Sequence, residues 1–409
     1  MIERPWPVLH IPENDKRIYA NNTCLQCNLV HSKWTKQQIM SSDSLVCLKD
    51  FEKYAKEHLN RNAWGFFSAG AEGCQTLRDN EEAFRRLRLR PRFLRDVSVR
   101  DMSTTLLGHR VDMPIGISPT ANQGLASPQG EIGTAKASAQ FQTCMICSTY
   151  SNFTMENIMD SSPDGLKWFQ LYVRPDRATT AGLVRRAEQA GYKALVLTVD
   201  LPIVGRRYPD MRHGFSMPRH LRVANLGNAD LSKSKKDRSG ALDYGLGGPD
   251  QSSDVSLSWK DVAWLRSICS LPIILKGILT AEDTRLAVQH GVDGILLSNH
   301  GGRQLDGVPA TIEALPEIVQ AAGDKLEVYM DGGVRTGTDV LKALALGARA
   351  VFIGRPAVWG LCYKGQEGVA KVLSILKEEF SLAMALSGCR SLRDITPALV
   401  VRDSRYSRL

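Results

Sequence analysis

Eight short runs of β-branched and apolar residues recur along the 409-residue chain, most followed by a segment of helical periodicity. No other feature narrows the fold as much. The runs are Pro114 to Ser118, Cys144 to Ser148, Trp168 to Tyr172, Ala194 to Val199, Pro272 to Lys276, Gly294 to Ser298, Glu327 to Met330 and Ala350 to Ile353. Near-continuous hydrophobicity of this kind fits parallel strands covered on both faces. Helical spacing marks the segments between them, as in Ala181 to Ala190, Ala281 to His290 and Thr338 to Leu346. Strands alternating with helices imply parallel pairing, and eight such units predict a single (β/α)8 TIM barrel rather than an open doubly wound sheet. No Gly-x-Gly-x-x-Gly opens a helix after the first run, which argues further against a dinucleotide-binding sheet.

In such a barrel the chemistry sits at the carboxyl ends of the strands. Here the runs end in residues that a packed core would not choose: Pro119-Thr120-Ala121, Ser148, Gln170 with Tyr172, Thr198 with Asp200, and Lys276. The last three give Ser298 with His300 and then Arg303, Asp331-Gly332-Gly333-Val334-Arg335, and Gly354-Arg355. Gln170/Tyr172, Thr198/Asp200 and Ser298/His300 are spaced by two, which puts both members of each pair on one face of a strand. Any one pair reads better as a strand cap; the repetition around the barrel does not. The glycine loops with Arg335 and Arg355 fall where these barrels hold phosphate, glycine letting backbone amides approach an anion. Thr120, Ser148, Gln170 and Thr198 suit something flat with many hydrogen-bonding edges, such as an isoalloxazine ring.

Two segments break the rhythm. Residues 1–43 lack a periodic pattern and are expected to be a disordered or non-native extension, with a true start near Met40. Their Cys24-Leu25-Gln26-Cys27 and His31 lack a fourth ligand at zinc spacing, so no metal is expected. The barrel domain is expected over 44–395, with a helix-like run from Leu45 and a long polar lid or disordered loop at about 208–258. A tail follows over 396–409. The net charge of +9 is spread along the chain, and the one compact basic cluster, Lys233 to Arg238, reads as a solvated loop. No nucleic acid is therefore expected. No apolar run approaches the roughly 20 residues of a membrane span. The nine cysteines sit mostly singly in apolar stretches, as reduced thiols do.

These residues resemble the FMN-dependent 2-hydroxy acid oxidase family, which includes glycolate oxidase and the peroxisomal long-chain hydroxy acid oxidases. The similarity runs from about Leu45 to Cys389, most specifically over Ser298-Asn299-His300-Gly301-Gly302-Arg303-Gln304-Leu305-Asp306. Phe169-Gln170-Leu171-Tyr172, Leu197-Thr198-Val199-Asp200, Lys276-Gly277 and Asp331 to Arg335 support it. The resemblance implies FMN as cofactor. Ser148, Gln170, Thr198, Lys276, Ser298 and the Pro119 to Ala121 backbone would contact the flavin. Asp331, Gly332, Gly333, Arg335, Gly354 and Arg355 would hold its ribityl phosphate. Tyr172, Arg207, His300 and Arg303 would surround the substrate. At two positions the chain departs from the glycolate-oxidase pattern. Phe66 replaces a tyrosine whose hydroxyl reaches the substrate carboxylate, and Tyr150 replaces a tryptophan of the pocket. Both point toward the medium- to long-chain branch.

The resemblance further implies that Arg207 and Arg303 fix a carboxylate by charge-assisted bonds. His300 would act as general base, with Asp200 orienting its ring, and would take either the hydroxyl or the Cα proton. Tyr172 would bond the substrate oxygen, and Lys276 would offset negative charge on the reduced flavin. Oxygen would reoxidise the flavin, giving hydrogen peroxide. Ser407-Arg408-Leu409 is a variant of the Ser-Lys-Leu address, implying an import receptor and a peroxisomal location. A homotetramer is the expected assembly. Three rivals are weaker: a cytochrome-reducing dehydrogenase, an FMN barrel isomerising a prenyl diphosphate, and a flavin-free binding protein.

Overall fold

The computed structural model describes residues 45–226 and 253–405. Eight parallel strands close into a barrel: β1 (Ile115–Ile117), β2 (Met145–Cys147), β3 (Lys167–Leu171), β4 (Leu195–Thr198), β5 (Ile273–Lys276), β6 (Gly294–Leu297), β7 (Glu327–Asp331) and β8 (Ala350–Ile353). Each pairs with its neighbour in chain order, and β8 pairs with β1 through Val351–Ile115 to Ile353–Ile117. Every predicted run overlaps one of these strands, with β3 beginning one residue before its run and β7 ending one residue after its run. The three predicted helices become Arg177–Gln189, Ala281–Gln289 and Gly337–Ala345.

Period two along the strands gives the barrel two interior layers. The lower is apolar: Ile146, Trp168, Val196, Ile274, Leu296, Tyr329 and Phe352 are all buried in one cluster. Three of these rings pack at 5.2 to 5.9 Å between centroids. Gly116 on β1 makes room for Phe352, since a Cβ there would lie 2.5 Å from its ring. A hairpin of Thr104–Leu106 and His109–Val111 closes the lower end, contributing Leu106 and Val111 to the cluster. One residue pair further along each strand, the interior turns polar.

Three helices precede the barrel: α1 (Leu48–His58), α2 (Arg61–Ser68) and α3 (Gln75–Arg85). The helix expected from Leu45 thus begins three residues later. Helix α3 lies against the loops after β6 and β7. Asp306 accepts from its first amides, Gln75 N at 3.1 Å and Thr76 N at 2.8 Å, an acidic cap on a helix N-terminus. Asn80 and Asn299 exchange amide hydrogen bonds at 2.9 and 2.7 Å, both buried. Gly333, with φ +80°, has no space for a side chain, because its Cβ would meet Asn80 O at 1.9 Å.

Where a tail was expected after residue 395, Val400–Arg402 pairs antiparallel with Leu87–Leu89, so that segment is part of the folded domain. Within the expected long loop, Tyr208–His213 and Ala224–Leu226 are helical. Residues 227–252, including the Lys233 to Arg238 cluster, lie outside the described residues. So do the leader with Cys24, Cys27 and His31, and Ser407 to Leu409.

Candidate active site

The carboxyl ends of the strands surround a cavity whose empty volume, open mouth included, is about 1200 Å³. Strand ends contribute Ser148, Gln170, Tyr172, Thr198, Lys276 and Asp331 to its wall. The loops that follow contribute Pro119, Thr120, Ala121, Tyr150, Arg207, His300, Arg303, Gly332, Gly333, Arg335, Gly354 and Arg355. Phe66 reaches it from α2. Of the residues singled out in the sequence, Asp200 and Ser298 stand outside this lining. Both lie directly behind it.

Asp200 Oδ1 is 2.8 Å from His300 Nδ1. That contact directs the ring, since an Nδ1–H donated to a carboxylate leaves Nε2 as the proton acceptor. Burial lowers the His300 pKa, and nearby Lys276 and Arg207 lower it further, outweighing Asp200. The imidazole is therefore neutral at neutral pH, as a base must be. Burial alone would raise the Asp200 pKa, but the His300 contact and Lys276 hold it below the usual carboxylate value. His300 has φ +57°, and Gly301 and Gly302 follow at +65° and +71°. This left-handed run turns the chain sharply back at the strand end, and a non-glycine residue there is strained.

Ser298 faces inward in the upper layer but is covered. Its hydroxyl accepts from Lys276 Nζ at 2.8 Å and from His300 N at 3.0 Å. It therefore fixes the lysine and the histidine backbone. Lys276 also lies 3.3 Å from Asp331 Oδ2, which accepts from Ser118 Oγ at 2.8 Å. Gln170 bridges Ser148, Thr149 N and Thr198 Oγ1, setting the orientation of its amide.

Tyr172 stacks on Tyr150 with centroids 5.1 Å apart. Burial raises the Tyr172 pKa well above its ordinary value, with Tyr150 and Asp200 adding to the effect. Burial likewise pushes Tyr150 up to about 12. Both phenols remain hydrogen-bond donors. Phe66 stacks on Phe215 at 4.7 Å, and the Arg303 guanidinium lies 5.4 Å from its ring centroid. Arg303 Nη1 also donates to the carbonyls of Phe66 at 2.7 Å and Ala69 at 3.0 Å, so α2 and the β6 loop are tied together.

At the far end of the cavity, Gly332 and Gly333 have φ +96° and +80°, and Gly354 precedes the helix that starts at Arg355. Arg335 pairs with Glu81 Oε1 at 3.0 Å. Its Nε and Asp331 Oδ1 are buried without a hydrogen-bond partner among the described residues. Unpaired buried polar atoms are costly, so this pair marks where a polar ligand belongs. A donor beside glycine loops suits a phosphate, and an acceptor one step inward suits a ribityl hydroxyl. The donor set thus fits FMN. Arg355 Nε, Nη1 and Nη2 each donate to a carbonyl, of Phe67, Gly301 and Ala69. Among the described residues that leaves two of its five N–H groups for an anion. Burial lowers its pKa to about 10, with Arg335 and Arg207 contributing.

Several cavity residues carried no sequence signal. Phe67, Leu201, Val204 and Val358 read as ordinary core, and Asn122 as a turn residue.

Residues 55–402 match the model of a family described as FMN-dependent dehydrogenase. Mouse (Mus musculus) 2-hydroxyacid oxidase 1 is 50% identical over 88% of this chain and 97% of its own length. Spinach (Spinacia oleracea) glycolate oxidase is also 50% identical, over 87% and 95%. A solved mandelate oxidase variant with (S)-mandelic acid superposes with a TM-score of 0.77 at 39% identity, covering 86% of this chain and 96% of that one.

Proposed function

This chain belongs to the FMN-dependent dehydrogenase family, and from that premise we propose that it oxidises medium- to long-chain (S)-2-hydroxy acids to 2-oxo acids, passing the electrons to O₂ to form hydrogen peroxide. The observation that carries the reading is one cavity lined by His300, Tyr172, Arg207 and Arg303, with Asp200 on His300 Nδ1 at 2.8 Å. Bound FMN supplies the two-electron acceptor. Arg207 and Arg303 hold the substrate carboxylate, which orients the hydroxyl-bearing carbon. His300 Nε2 accepts a proton from the substrate, and Asp200 stabilises the imidazolium. Tyr172 donates its hydroxyl hydrogen to the substrate oxygen. Lys276, held by Ser298 and Asp331, would supply positive charge beside a bound flavin.

The apolar pouch of Tyr150, Leu201, Val204 and Phe66 supports a substrate with an extended apolar side chain. Phe66 offers no hydroxyl to the carboxylate, so the smallest acid loses an anchor that methylenes would offset at up to about 0.8 kcal/mol each. A peroxide-release panel over 2-hydroxy acids of increasing length tests both parts. The reading fails if no member releases peroxide, and its chain-length part fails if glycolate has the highest kcat/KM.

The same reading places the protein in peroxisomes as a homotetramer. Ser407-Arg408-Leu409 supports the location, and deleting Leu409 should shift the protein to cytosol without changing its activity in lysates. Light scattering of the holoenzyme checks the assembly.

A further inference from the structure

We propose that Gln304 is a positioning residue for the active site, its side-chain amide locking the loop after β4 against the loop after β6 so that Arg207 is held in line with the Asp200–His300 pair. The inference rests on the hydroxy-acid reading above.

The amide makes four contacts. Oε1 accepts from Gly205 N at 3.1 Å and from Arg207 Nη2 at 3.4 Å. Nε2 donates to Asp200 O at 3.0 Å and to Ile203 O at 2.9 Å. Both donors and both acceptor positions of the group are thus engaged. The orientation is also forced, because a flipped amide would turn its NH₂ toward an N–H and a guanidinium, and its oxygen toward two carbonyls. These contacts span both ends of the segment that begins with Asp200 and ends with Arg207.

Little else fastens the two loops at this point through apolar burial. Ile203 is 72% exposed and Leu305 is 70% exposed. What lies between is backbone against backbone: a Cβ on Gly205 would stand 2.5 Å from Arg303 O and 2.6 Å from Gln304 O. Arg207 Nε adds a bond to Arg303 O at 3.3 Å. The β6 loop itself carries the positive-φ run through His300, Gly301 and Gly302. A loop bent in this way holds its shape only when surrounding contacts fix it. Gln304 supplies such contacts while steering a side chain that lines the cavity. Its partial exposure and loop position mean that its loss leaves the barrel core untouched.

Gln304→Met keeps the length of the side chain and removes all four contacts. With FMN bound and thermal unfolding unchanged, its KM for the hydroxy acid should rise about tenfold, and its kcat should fall less than about threefold. The dissociation constant of oxalate, read from the flavin absorbance, should rise in parallel. In an Arg207→Met background the same substitution should add less than about twofold, since the amide acts through that guanidinium. Gln304→Glu keeps the acceptor for Gly205 N and Arg207 but sets a carboxylate oxygen against the Asp200 and Ile203 carbonyls, so its KM should also rise about tenfold, which gives a separate reading if the Met variant does not fold. Unchanged KM and oxalate affinity in Gln304→Met, an equal KM rise in both backgrounds, or a KM like the parent's in Gln304→Glu would each overturn the proposal. If the unsubstituted holoenzyme oxidises no 2-hydroxy acid, the functional reading fails instead, and the oxalate titration still tests the link between Gln304 and Arg207.

Discussion

The lower and upper layers of the barrel interior come from the same strands, one pleat apart, and differ in almost every physical respect. Ile146 gives way to Ser148, Trp168 to Gln170, Val196 to Thr198, Ile274 to Lys276, Leu296 to Ser298, Tyr329 to Asp331 and Phe352 to Gly354. The lower layer is aromatic and aliphatic packing that supports what stands on it. The upper layer buries a lysine, a carboxylate, an amide and hydroxyls, and polar atoms of Asp200, Asp331 and Arg335 in or beside it find no partner among the described residues. Such burial is tolerable because strand hydrogen bonds hold every group in register and a bound ligand supplies the remaining partners. Chemistry and stability are thus separated by about one strand pleat. Substitutions in the two layers should have separable consequences.

The largest effect belongs to the mouth. His300→Gln should retain FMN and unfold as the parent does, while turnover falls by about 10²–10⁴-fold, the usual loss on removing a general base. Turnover near that of the parent would place the base elsewhere. In the floor, Trp168→Ala should reverse the pattern. It should cost about 3–5 kcal/mol in urea unfolding, and the protein that remains folded should keep its KM. A large KM change would mean that the floor shapes the mouth directly.

A smaller effect tests the electrostatics. Because burial holds the His300 pKa below its ordinary 6.5, kcat/KM should fall only as the pH drops below that value, where the base becomes protonated. Asp200→Asn removes the charge that raises this pKa, so the acid limb should move to still lower pH as turnover declines. A limb that moves upward would contradict the arrangement of charges around the ring. The smallest change is Phe66→Tyr, which should narrow the kcat/KM gap between glycolate and a medium-chain acid by improving glycolate, within the roughly 1–3 kcal/mol that one pocket contact offers. No change in that ratio would remove Phe66 from the account of specificity.

Much of this architecture is written locally. A run such as Ala194 to Val199 is strand because β-branched residues suit the pleat and both faces are covered, and the switch from Val196 to Thr198 follows from period two alone. The glycines of the loop after β7 are legible for the same reason, since positive φ is a property of the residue and its neighbours. From these the barrel and its polar mouth could be read directly, and the likeness to hydroxy acid oxidases supplied the roles expected of the residues there.

What the tertiary structure alone decided are contacts between distant segments. Asn80 meets Asn299 across 219 residues, and the Asp200–His300 contact across 100, which only the family likeness had implied, is set by the closure of the barrel. Gln304 reaches Asp200, Ile203, Gly205 and Arg207 because barrel closure sets the β4 and β6 loops side by side. Ser298 and His300 were equivalent by spacing, yet one is covered by Lys276 and the other lines the cavity. Periodicity fixes which face of a strand a residue occupies, and it carries no information on what covers that face. That depends on strand stagger and on how each loop folds back, which are properties of the closed barrel and not of any single segment.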